Sequence, residues 1–398
     1  MRSNIKIGRI SGIEIGLNYS WLFIAALITI SLAGHFHDVN PTWNPGVIWA
    51  AAILTSVLFF VTLLLHELAH SLVGQALGLK VKAITLFALG GVSQIEDDAS
   101  DAKTEFWVAI AGPLASLIIG FGCLGLAVLL GWRRSNEPQT LATAVLVWLG
   151  YINIALAVFN MIPGFPLDGG RVLRAILWAV TKNARRSTQI AARIGQVVAV
   201  LFMLDGIWQA LEGGSLSALW MVFIGWFLLD AARASYAQAD VTAVLDGLTV
   251  SRLMARDCVT VDRRLSLQAF IDMYLFRNSQ RCFAVEDHGE LVGIITPRDV
   301  RAVRRDLWDK TSVGDTMLPI AEAHTVAPDT PALEALKLMA RYDVNQLPVV
   351  VNGKLLGMVA RGQMMQFLQS RFESQASGTR HPILDRGNAW REVPSATH

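Results

Sequence analysis

The chain has 398 residues, of which 53% are hydrophobic and 17% are charged, and its mean hydropathy is +0.44. These values exclude a single ordinary soluble domain and predict a membrane protein with a soluble part. The net charge of +2 gives no support for nucleic acid as a partner, and three cysteines without paired spacing (Cys123, Cys258 and Cys282) indicate neither a disulfide framework nor a thiolate zinc site.

The first part of the chain predicts short strands followed by membrane spans. Residues 3–16 alternate apolar and polar side chains with glycine punctuation, which predicts two short strands. No apolar core with a small-residue cleavage site follows the N-terminus, so we expect no removable signal peptide. Six apolar stretches are each long enough to cross a bilayer core of about 30 Å. They lie near 18–34, 46–77, 105–131, 141–161, 190–211 and 216–234.

The loops between the spans differ in their basic residues. The N-terminal segment and the second and fourth loops are rich in Lys and Arg, the third loop has Arg133 and Arg134, and the first and fifth loops have none. The positive-inside rule therefore predicts a multi-pass protein of the cell membrane with both termini in the cytoplasm. His66 then lies about 30 Å along the second span from Gly46, near the cytoplasmic side, where water can reach it from the cytosol.

The second span contains an unusual group of polar residues. Glu67 is the only formally charged residue between Asp38 and Lys80, and it lies beside His66 and His70 in the pattern HELAH. A charge in a lipid-compatible helix is costly and usually functional. Because positions i and i+4 share a helix face, both imidazoles can bind one metal ion, with the carboxylate beside it to accept a proton. The alternative is a pair of helix histidines in ordinary hydrogen bonds.

The stretch 80–96 is too short and too polar to span a membrane. Its alternation and the Gly90-Gly91 pair predict strands with a bend. An unpaired strand edge near the metal could hold an extended peptide by strand addition. A plain juxtamembrane hairpin is the alternative interpretation.

A catalytic zinc ion held by two histidines needs a third protein ligand from elsewhere. The fourth span ends in FNMIPGFPLDGGRVLRA, which brings Asn160 and Asp168 to the cytoplasmic side, in backbone suited to lining a cavity. Asp205 lies about 20 Å past the inner boundary on an outgoing span. Asp230 lies beside Arg233, which favours a salt-bridged helix end. Asp168 is thus a candidate at the right depth, and the alternative is that its segment is only a loop that closes the span.

Three motifs together resemble the site-2 protease family of intramembrane zinc metalloproteases. They are HELAH on the second span, AGPLAS at 111–116 on the third, and N-x-x-P-x-x-P-L-D-G-G-R from Asn160 to Arg171. The resemblance covers about residues 1–235. It implies an α-helical multipass domain that hydrolyses peptide bonds within the membrane.

The resemblance also implies roles for individual residues. His66, His70 and Asp168 would bind one Zn²⁺ ion, Glu67 would be the general base, and Asn160 would stabilise the tetrahedral oxyanion. A substrate helix must unwind locally to expose its carbonyls, so Gly, Pro or polar residues in the target span should help.

Asn153 lies seven residues before Asn160 on the same span. It could support the metal site from outside the ligand set, or it could hydrogen-bond to a neighbouring helix. We favour the helix contact, because polar side chains commonly join helices in membranes.

After about residue 240 the sequence repeats at an offset of 63–65, with VSRLM matching VGDTM and GELVGII matching GKLLGMV. This pattern resembles a tandem pair of cystathionine-β-synthase (CBS) domains at about 249–370, an α/β module. In that family, T-x-x-D residues at a strand end often bind an adenine nucleotide. The first copy has Thr296 and Asp299, whereas the second has Ala360 and Gln363, so at most one site looks complete. A purely structural or dimerising pair is the alternative.

The sequence thus predicts a metalloprotease domain at 1–239, CBS domains at 249–308 and 312–370, and a flexible tail at 371–398. The leading hypothesis is a prokaryotic zinc endopeptidase that cuts transmembrane segments of other membrane proteins in the lipid bilayer, with a cytosolic CBS pair that regulates it or forms a homodimer. A CBS-regulated channel or transporter is the competing hypothesis, and it leaves HELAH unexplained. An inactive scaffold is a third, but it would be expected to have lost one of the four motif residues.

Overall fold

Long apolar helices dominate the first of two units into which the chain divides, residues 1–239 and 240–398. The computed structural model describes residues 4–88, 90–95, 99–134, 137–213, 216–245, 247–256, 258–275 and 283–376. The elements of the first unit, whose last helix continues into the second, are β1 (Ile5–Ile10), β2 (Ile13–Leu17), α1 (Ser20–Val39), α2 (Pro45–Ala76), β3 (Val81–Phe87), β4 (Gly90–Ile95), α3 (Ala102–Leu129), α4 (Leu141–Asn160), α5 (Asp168–Thr181), α6 (Ala184–Leu211) and α7 (Leu216–Leu245).

Six helices of the described part are long and apolar enough to cross a membrane, namely α1, α2, α3, α4, α6 and α7. This confirms the predicted number of spans, and the protein is a multi-pass membrane protein. The predicted strands at 3–16 and 80–96 are also confirmed, as β1, β2, β3 and β4. The helix α5 has only 14 residues and follows the fourth span directly.

Capping side chains mark where several of these helices begin. The Asn44 side chain accepts a hydrogen bond from the Gly46 N–H at the start of α2. Asp101 accepts hydrogen bonds from the N–H groups of Lys103 and Thr104 at the start of α3. Such caps satisfy N–H groups that have no partner within the helix. The hydrogen bonds from Thr104 to the Asp101 carboxylate also hold the pKa of that group below its ordinary value.

The four strands of this unit form one sheet in the order β1-β2-β3-β4. Strands β2 and β3 pair in parallel, from Glu14 opposite Ala83 to Leu17 opposite Leu86, whereas β3 and β4 are antiparallel. Buried side chains of the sheet pack against Leu68 on α2, which lies two residues from each of the two motif histidines. The sheet therefore covers the motif helix, and β4 is its edge strand.

Glycines allow helices of this unit to approach each other closely. A Cβ atom at Gly120 on α3 would lie 2.7 Å from Ile154 Cγ1 and 3.0 Å from the Gly150 carbonyl oxygen on α4. Such separations are too short for any side chain, so only glycine permits this approach. The α3–α4 crossing thus fixes the position of the end of α4, from which the chain continues to α5.

The second unit has two similar halves. Its elements are α8 (Val250–Leu253), β5 (Thr260–Asp262), α9 (Leu267–Phe270), a π-helical turn (Ile271–Leu275), β6 (Phe283–Asp287), β7 (Glu290–Ile295), α10 (Pro297–Ala302), a 3₁₀ turn (Arg305–Leu307), α11 (Val313–Thr316), β8 (Leu318–Pro319), α12 (Ala332–Arg341), β9 (Gln346–Val351), β10 (Lys354–Ala360) and α13 (Arg361–Ala376). Each half packs a helix against an antiparallel strand pair, β6–β7 in the first and β9–β10 in the second. The α/β pair expected from the repeat is confirmed.

Each half also has its own apolar core. Phe270, Phe283 and Ile295 are fully buried in the first core, and Met339 and Leu347 are fully buried in the second. Backbone hydrogen bonds between Ala255 and Met358, in both directions, join the segment before the first core to β10. The two halves therefore bury apolar surface separately, and backbone hydrogen bonds join them.

The end of the second unit differs from the prediction. A flexible tail is predicted from residue 371, but α13 continues to Ala376. The predicted tail beyond that residue, 377–398, lies outside the described residues. The polar composition of the segment hid the last turns of the helix, because they lack an apolar period.

Candidate metal centre

Three side chains from two helices meet inside the first unit, residues 1–239, which is called the membrane unit below. His66 Nε2 and His70 Nε2 of α2 each lie 3.2 Å from Asp168 Oδ2, at the first residue of α5. The two imidazole nitrogens lie 3.3 Å from each other. Among the described residues, these three form a group of His, Cys, Asp or Glu side chains whose ligand atoms could share one metal ion. Asp168 thus stands beside the two histidines, as the sequence predicts.

The separations match those of zinc ligands. A tetrahedral zinc ion with bonds of about 2.0–2.1 Å keeps its ligand atoms about 3.3–3.4 Å apart. Two imidazole nitrogens and one carboxylate oxygen are also the donor types that catalytic zinc sites use, with the fourth position left open. The geometry and the chemistry of the donor set therefore both fit this ion.

Hydrogen bonds on the far side of each ring fix how the imidazoles face the site. His70 Nδ1 lies 2.6 Å from the Val108 carbonyl oxygen, so this nitrogen carries a proton and donates it. His66 Nδ1 lies 2.9 Å from Ser116 Oγ. Such partners orient ligating histidines and leave the Nε2 lone pair free for a metal.

Helix α3 forms the wall of this centre along one face. Val108, Gly112 and Ser116 follow one another at intervals of four residues, so they share that face. A Cβ atom at Gly112 would collide with the His70 ring and would lie 2.7 Å from His66 Nε2. Gly112 therefore keeps free the volume in which a metal ion would bind. Any residue with a Cβ atom at this position would occupy that volume.

The carboxylate of Glu67 lies under the edge strand of the sheet. Ser93 Oγ of β4 donates a hydrogen bond to Glu67 Oε2 at 3.2 Å, and Ser93 Oγ in turn lies 3.3 Å from Ser71 Oγ on α2. A Cβ atom at Gly91 would lie 2.9 Å from Glu67 Cδ. The backbone of β4 thus passes directly over the carboxylate of the motif.

The two asparagines of α4 differ in their surroundings. Asn160 is the last residue of α4 and is half-buried, at the start of the turn that leads to Asp168. Asn153 is fully buried, and its side-chain N–H donates to the Leu149 carbonyl of its own helix at 2.8 Å. Its Oδ1 has no partner within the described residues. Within the described residues, Asn153 therefore forms no hydrogen bond to a neighbouring helix.

The remaining acidic candidates lie elsewhere. Asp205 is exposed on α6 and accepts a hydrogen bond from Gln209 of the same helix at 2.7 Å. Asp230 and Arg233 are both exposed on α7, and they form no ion pair in the described part of the chain. The predicted salt-bridged helix end is therefore absent from the described residues.

Sequence reasoning did not assign the supporting residues of the centre. Gly112 and Ser116 belong to the AGPLAS motif, but the motif alone does not show which helix they face. Gly91 lies in the glycine pair that predicted a bend. Only the packing of α3 and β4 against α2 shows that these residues contact the histidines and the carboxylate.

In the second unit, Thr296 and Asp299 lie together at the end of β7. Asp299 Oδ2 accepts hydrogen bonds from Thr296 Oγ1 at 2.7 Å and from the Thr296 N–H at 2.8 Å. Both residues line a cavity of about 790 Å³, together with Arg298, Arg301 and residues 343–346 of the second repeat. At the corresponding end of β10, a glutamine accepts the N–H of Ala360 instead.

Comparisons with known proteins agree with these observations. The model of Peptidase family M50 matches residues 54–133 and 131–202, and the CBS domain model matches 250–306 and 313–370. The chain is 31% identical to "Putative zinc metalloprotease sll0528" of Synechocystis sp., over 93% of this chain and 97% of that protein. It is 29% identical to "Zinc metalloprotease MJ0392" of Methanocaldococcus jannaschii, over 92% of this chain and 96% of that protein.

A solved structure is also similar. The site-2 protease from Methanocaldococcus jannaschii is 31% identical, and the match covers 58% of this chain and 94% of that one, with a TM-score of 0.42. The extent and identity of the match to the Synechocystis protein show the family. The chain therefore belongs to Peptidase family M50, the site-2 protease family of zinc metalloproteases, and carries tandem CBS domains.

Proposed function

We propose that this protein is an intramembrane endopeptidase that cleaves a membrane-spanning segment of other membrane proteins. The observation that carries the proposal is the meeting of His66, His70 and Asp168 within 3.3 Å of one another, with Glu67 on the same helical turn. All but Asp168 lie on α2, a 32-residue apolar helix. A reaction centre built on such a helix is accessible to a substrate that lies in the same bilayer.

His66, His70 and Asp168 would hold one zinc ion, which lowers the pKa of a bound water molecule and polarises a carbonyl group. Glu67 accepts a proton from the attacking water as its oxygen adds to the peptide carbonyl carbon. It then donates that proton to the leaving nitrogen as the C–N bond breaks. The hydrogen bond from Ser93 to Glu67 Oε2 orients the carboxylate for this transfer.

The edge strand β4 offers a binding site for the substrate backbone. It pairs with β3 on one side, and its other side is the edge of the sheet. An unwound substrate segment could pair with this edge, and that would place its carbonyl groups beside Glu67, because the backbone of Gly91 contacts the Glu67 side chain. Strand pairing would also supply partners for backbone groups that unwinding frees in a membrane.

Asn160 would donate its side-chain N–H to the developing oxyanion. Its position at the end of α4, in the turn that leads to Asp168, supports this role. Preorganised donors of this kind stabilise negative charge that appears only in the transition state.

The orientation of the chain follows from its basic residues. We propose that both termini are cytoplasmic, since Lys and Arg concentrate in the N-terminal segment and in the second and fourth loops. The second unit would then be cytosolic. The competing hypothesis of a channel or transporter is less well supported, because it gives no role to the three converging ligand atoms.

The proposal is tested by cleavage of single-span membrane proteins in vesicles that contain the purified full-length protein. In Glu67→Gln, cleavage should fall at least about 100-fold because the proton acceptor is lost, while zinc content stays equal to that of the wild type. Asp205→Asn is the matched control, since it removes an acidic residue on α6 that hydrogen-bonds only within its helix. Full cleavage by Glu67→Gln would remove that residue as the base.

We further propose that the CBS pair binds one adenine nucleotide and thereby regulates the protease or its dimerisation. Thr296 and Asp299 line the cavity of the first repeat, and Arg298 and Arg301 add positive charge for phosphate groups. Calorimetric titration of the full-length protein with ATP and AMP tests this proposal. Saturation at one nucleotide per chain that is lost in Asp299→Asn supports it, and no heat with either nucleotide supports a structural pair.

A further inference from the structure

A buried acidic residue on α3 contacts the helix that begins with Asp168. Glu105 is 2% exposed, and its Oε1 accepts hydrogen bonds from Arg171 Nε at 3.0 Å and from Arg174 Nη1 at 3.3 Å. Arg171 Nη2 lies 3.5 Å from the other carboxylate oxygen. Both arginines belong to α5, and their side chains are 25% and 18% exposed. A single carboxylate thus joins the start of α3 to the first two turns of α5.

This contact lies on the same face of α3 that contacts the histidines. Glu105 precedes Val108 by three residues, and Gly112 and Ser116 follow at intervals of four. Side chains at this spacing form one stripe along a helix. The residues of this stripe therefore have different contacts. Two of them contact His70 and His66, the glycine between them borders the proposed metal site, and Glu105 forms ion pairs with α5.

Other contacts of α5 restrain it in a different way. Gly169 and Gly170 pack against the backbone of residues 161–165, with no room for a Cβ atom at either position. These contacts set how closely the start of α5 approaches the turn before it. They hold the backbone next to Asp168, whereas the ion pairs act further along the helix. The ion pairs one and two turns into the helix resist its rotation, because a two-pronged arginine contact has a defined geometry.

We propose that Glu105 is a positioning residue for Asp168. It acts through Arg171 and Arg174, which hold α5 so that Asp168 Oδ2 stays 3.2 Å from both imidazoles. The inference rests on the proposed metal site and deepens it. A buried carboxylate is costly unless it is paired, and here the pairing links the third ligand to the helix that orients the first two.

The test compares metal binding by purified full-length variants in detergent. Glu105→Gln keeps the shape of the side chain but removes its charge, so α5 should lose the ion-pair restraint while its glycine packing remains. Zinc transfer to a chromogenic chelator should become about 10- to 100-fold faster, the range found when partners that orient metal ligands are removed. The visible absorption bands of the Co²⁺-substituted protein should shift as well, because the third ligand is displaced. The matched control is Glu14→Gln, which removes the ion pair to Lys6 in the same unit.

Two results would overturn the proposal. One is a Glu105→Gln protein that melts at a lower temperature but has the zinc transfer rate and Co²⁺ spectrum of the wild type, since Glu105 would then only stabilise the fold. The other is a wild-type protein that binds no zinc, which would remove the proposed metal site itself. If Glu105→Gln does not fold, Arg171→Lys takes its place. Because lysine keeps the charge without the two-pronged contact, we expect faster zinc transfer, and an unchanged rate would contradict the proposal.

Discussion

At the scale of single residues, the metal centre depends on a position with no side chain. The two imidazoles and the carboxylate supply donor atoms, but Gly112 supplies the space between them and α3. Glycine elsewhere on the same helix has no such role. At Gly122, a Cβ atom would meet nothing within 4 Å. The same residue type therefore has a chemical role at one position and none at another ten residues away.

This contrast leads to a first prediction. Gly112→Ala should fold and insert normally but should bind zinc at least about 10-fold more weakly, because its methyl group occupies the volume between the imidazoles. Zinc per chain by atomic emission, after dialysis against a buffered zinc solution, measures the effect. Gly122→Ala is the control and should match the wild type. Equal zinc content in the two variants would contradict the assigned site.

A second prediction separates the two asparagines of α4. Asn160→Ala should lower kcat about 100- to 1,000-fold through loss of an oxyanion donor, with zinc content unchanged. Asn153→Leu should cleave nearly as well as the wild type, because among the described residues Asn153 Oδ1 has no partner and its side-chain N–H donates to a carbonyl of α4 itself. Cleavage rates at saturating substrate test both. Comparable losses in the two variants would instead indicate that Asn153 supports the site.

At the scale of elements, the proposed reaction centre lies where α2, α3, α5 and β4 meet. The sheet packs against α2 beside the motif, and its edge strand crosses Glu67. Helix α3 touches both histidines and the arginines of α5. Each element therefore contributes one kind of contact. Helices α2 and α5 carry the proposed ligand atoms, α3 orients them, and β4 packs over the Glu67 carboxylate.

A third prediction concerns the contact of β4 with α2. Gly91→Ala should displace the Glu67 side chain, because the added methyl group would lie 2.9 Å from Cδ. Cleavage should therefore fall about 10-fold or more, while zinc binding stays at the wild-type level, since the ligand atoms are not touched. Gly8→Ala on β1 of the same sheet is the control, as its Cβ atom would meet nothing within 4 Å. Loss of zinc in Gly91→Ala would contradict this division of roles.

At the scale of the whole molecule, two units with separate cores carry separate ligand sites. The proposed metal site lies in residues 1–239, and the cavity proposed to bind a nucleotide lies in 240–398. A ligand that binds only the folded form of a unit stabilises that unit. The two proposed ligands should therefore act on different unfolding transitions.

This separation gives a fourth prediction. Removal of zinc by a chelator should lower the melting temperature of the membrane unit, since binding at 1,000 times Kd contributes about 4 kcal/mol. The transition of the CBS unit should not move, and ATP should raise it without changing the other. Tryptic protection of each unit during a thermal ramp, followed with antibodies to tags at the two termini, distinguishes them. A chelator effect on both transitions would show that the two units unfold together.

Much of this architecture was predictable from local patterns. The six spans are visible in hydropathy because lipid requires long apolar helices. The repeat in the second half is visible because each copy folds from its own local sequence. The end of α13 was missed because its polar final turns give no periodic signal. The hydrogen-bond partner of Asn153 was not predictable, because sequence gives the polarity of a residue but not its neighbour.

The sequence by itself determined which residues could bind a metal ion, since the i, i+4 spacing of His66 and His70 is a property of one helix. It also determined that an acidic residue had to come from elsewhere, and the family motif indicated Asp168. Only the tertiary structure decided which elements contact each other. These contacts are the parallel pairing of β2 with β3, the packing of β4 over Glu67, and the ion pairs between Glu105 and the arginines of α5. These contacts join residues far apart in the chain, so they depend on packing between elements and leave no local pattern.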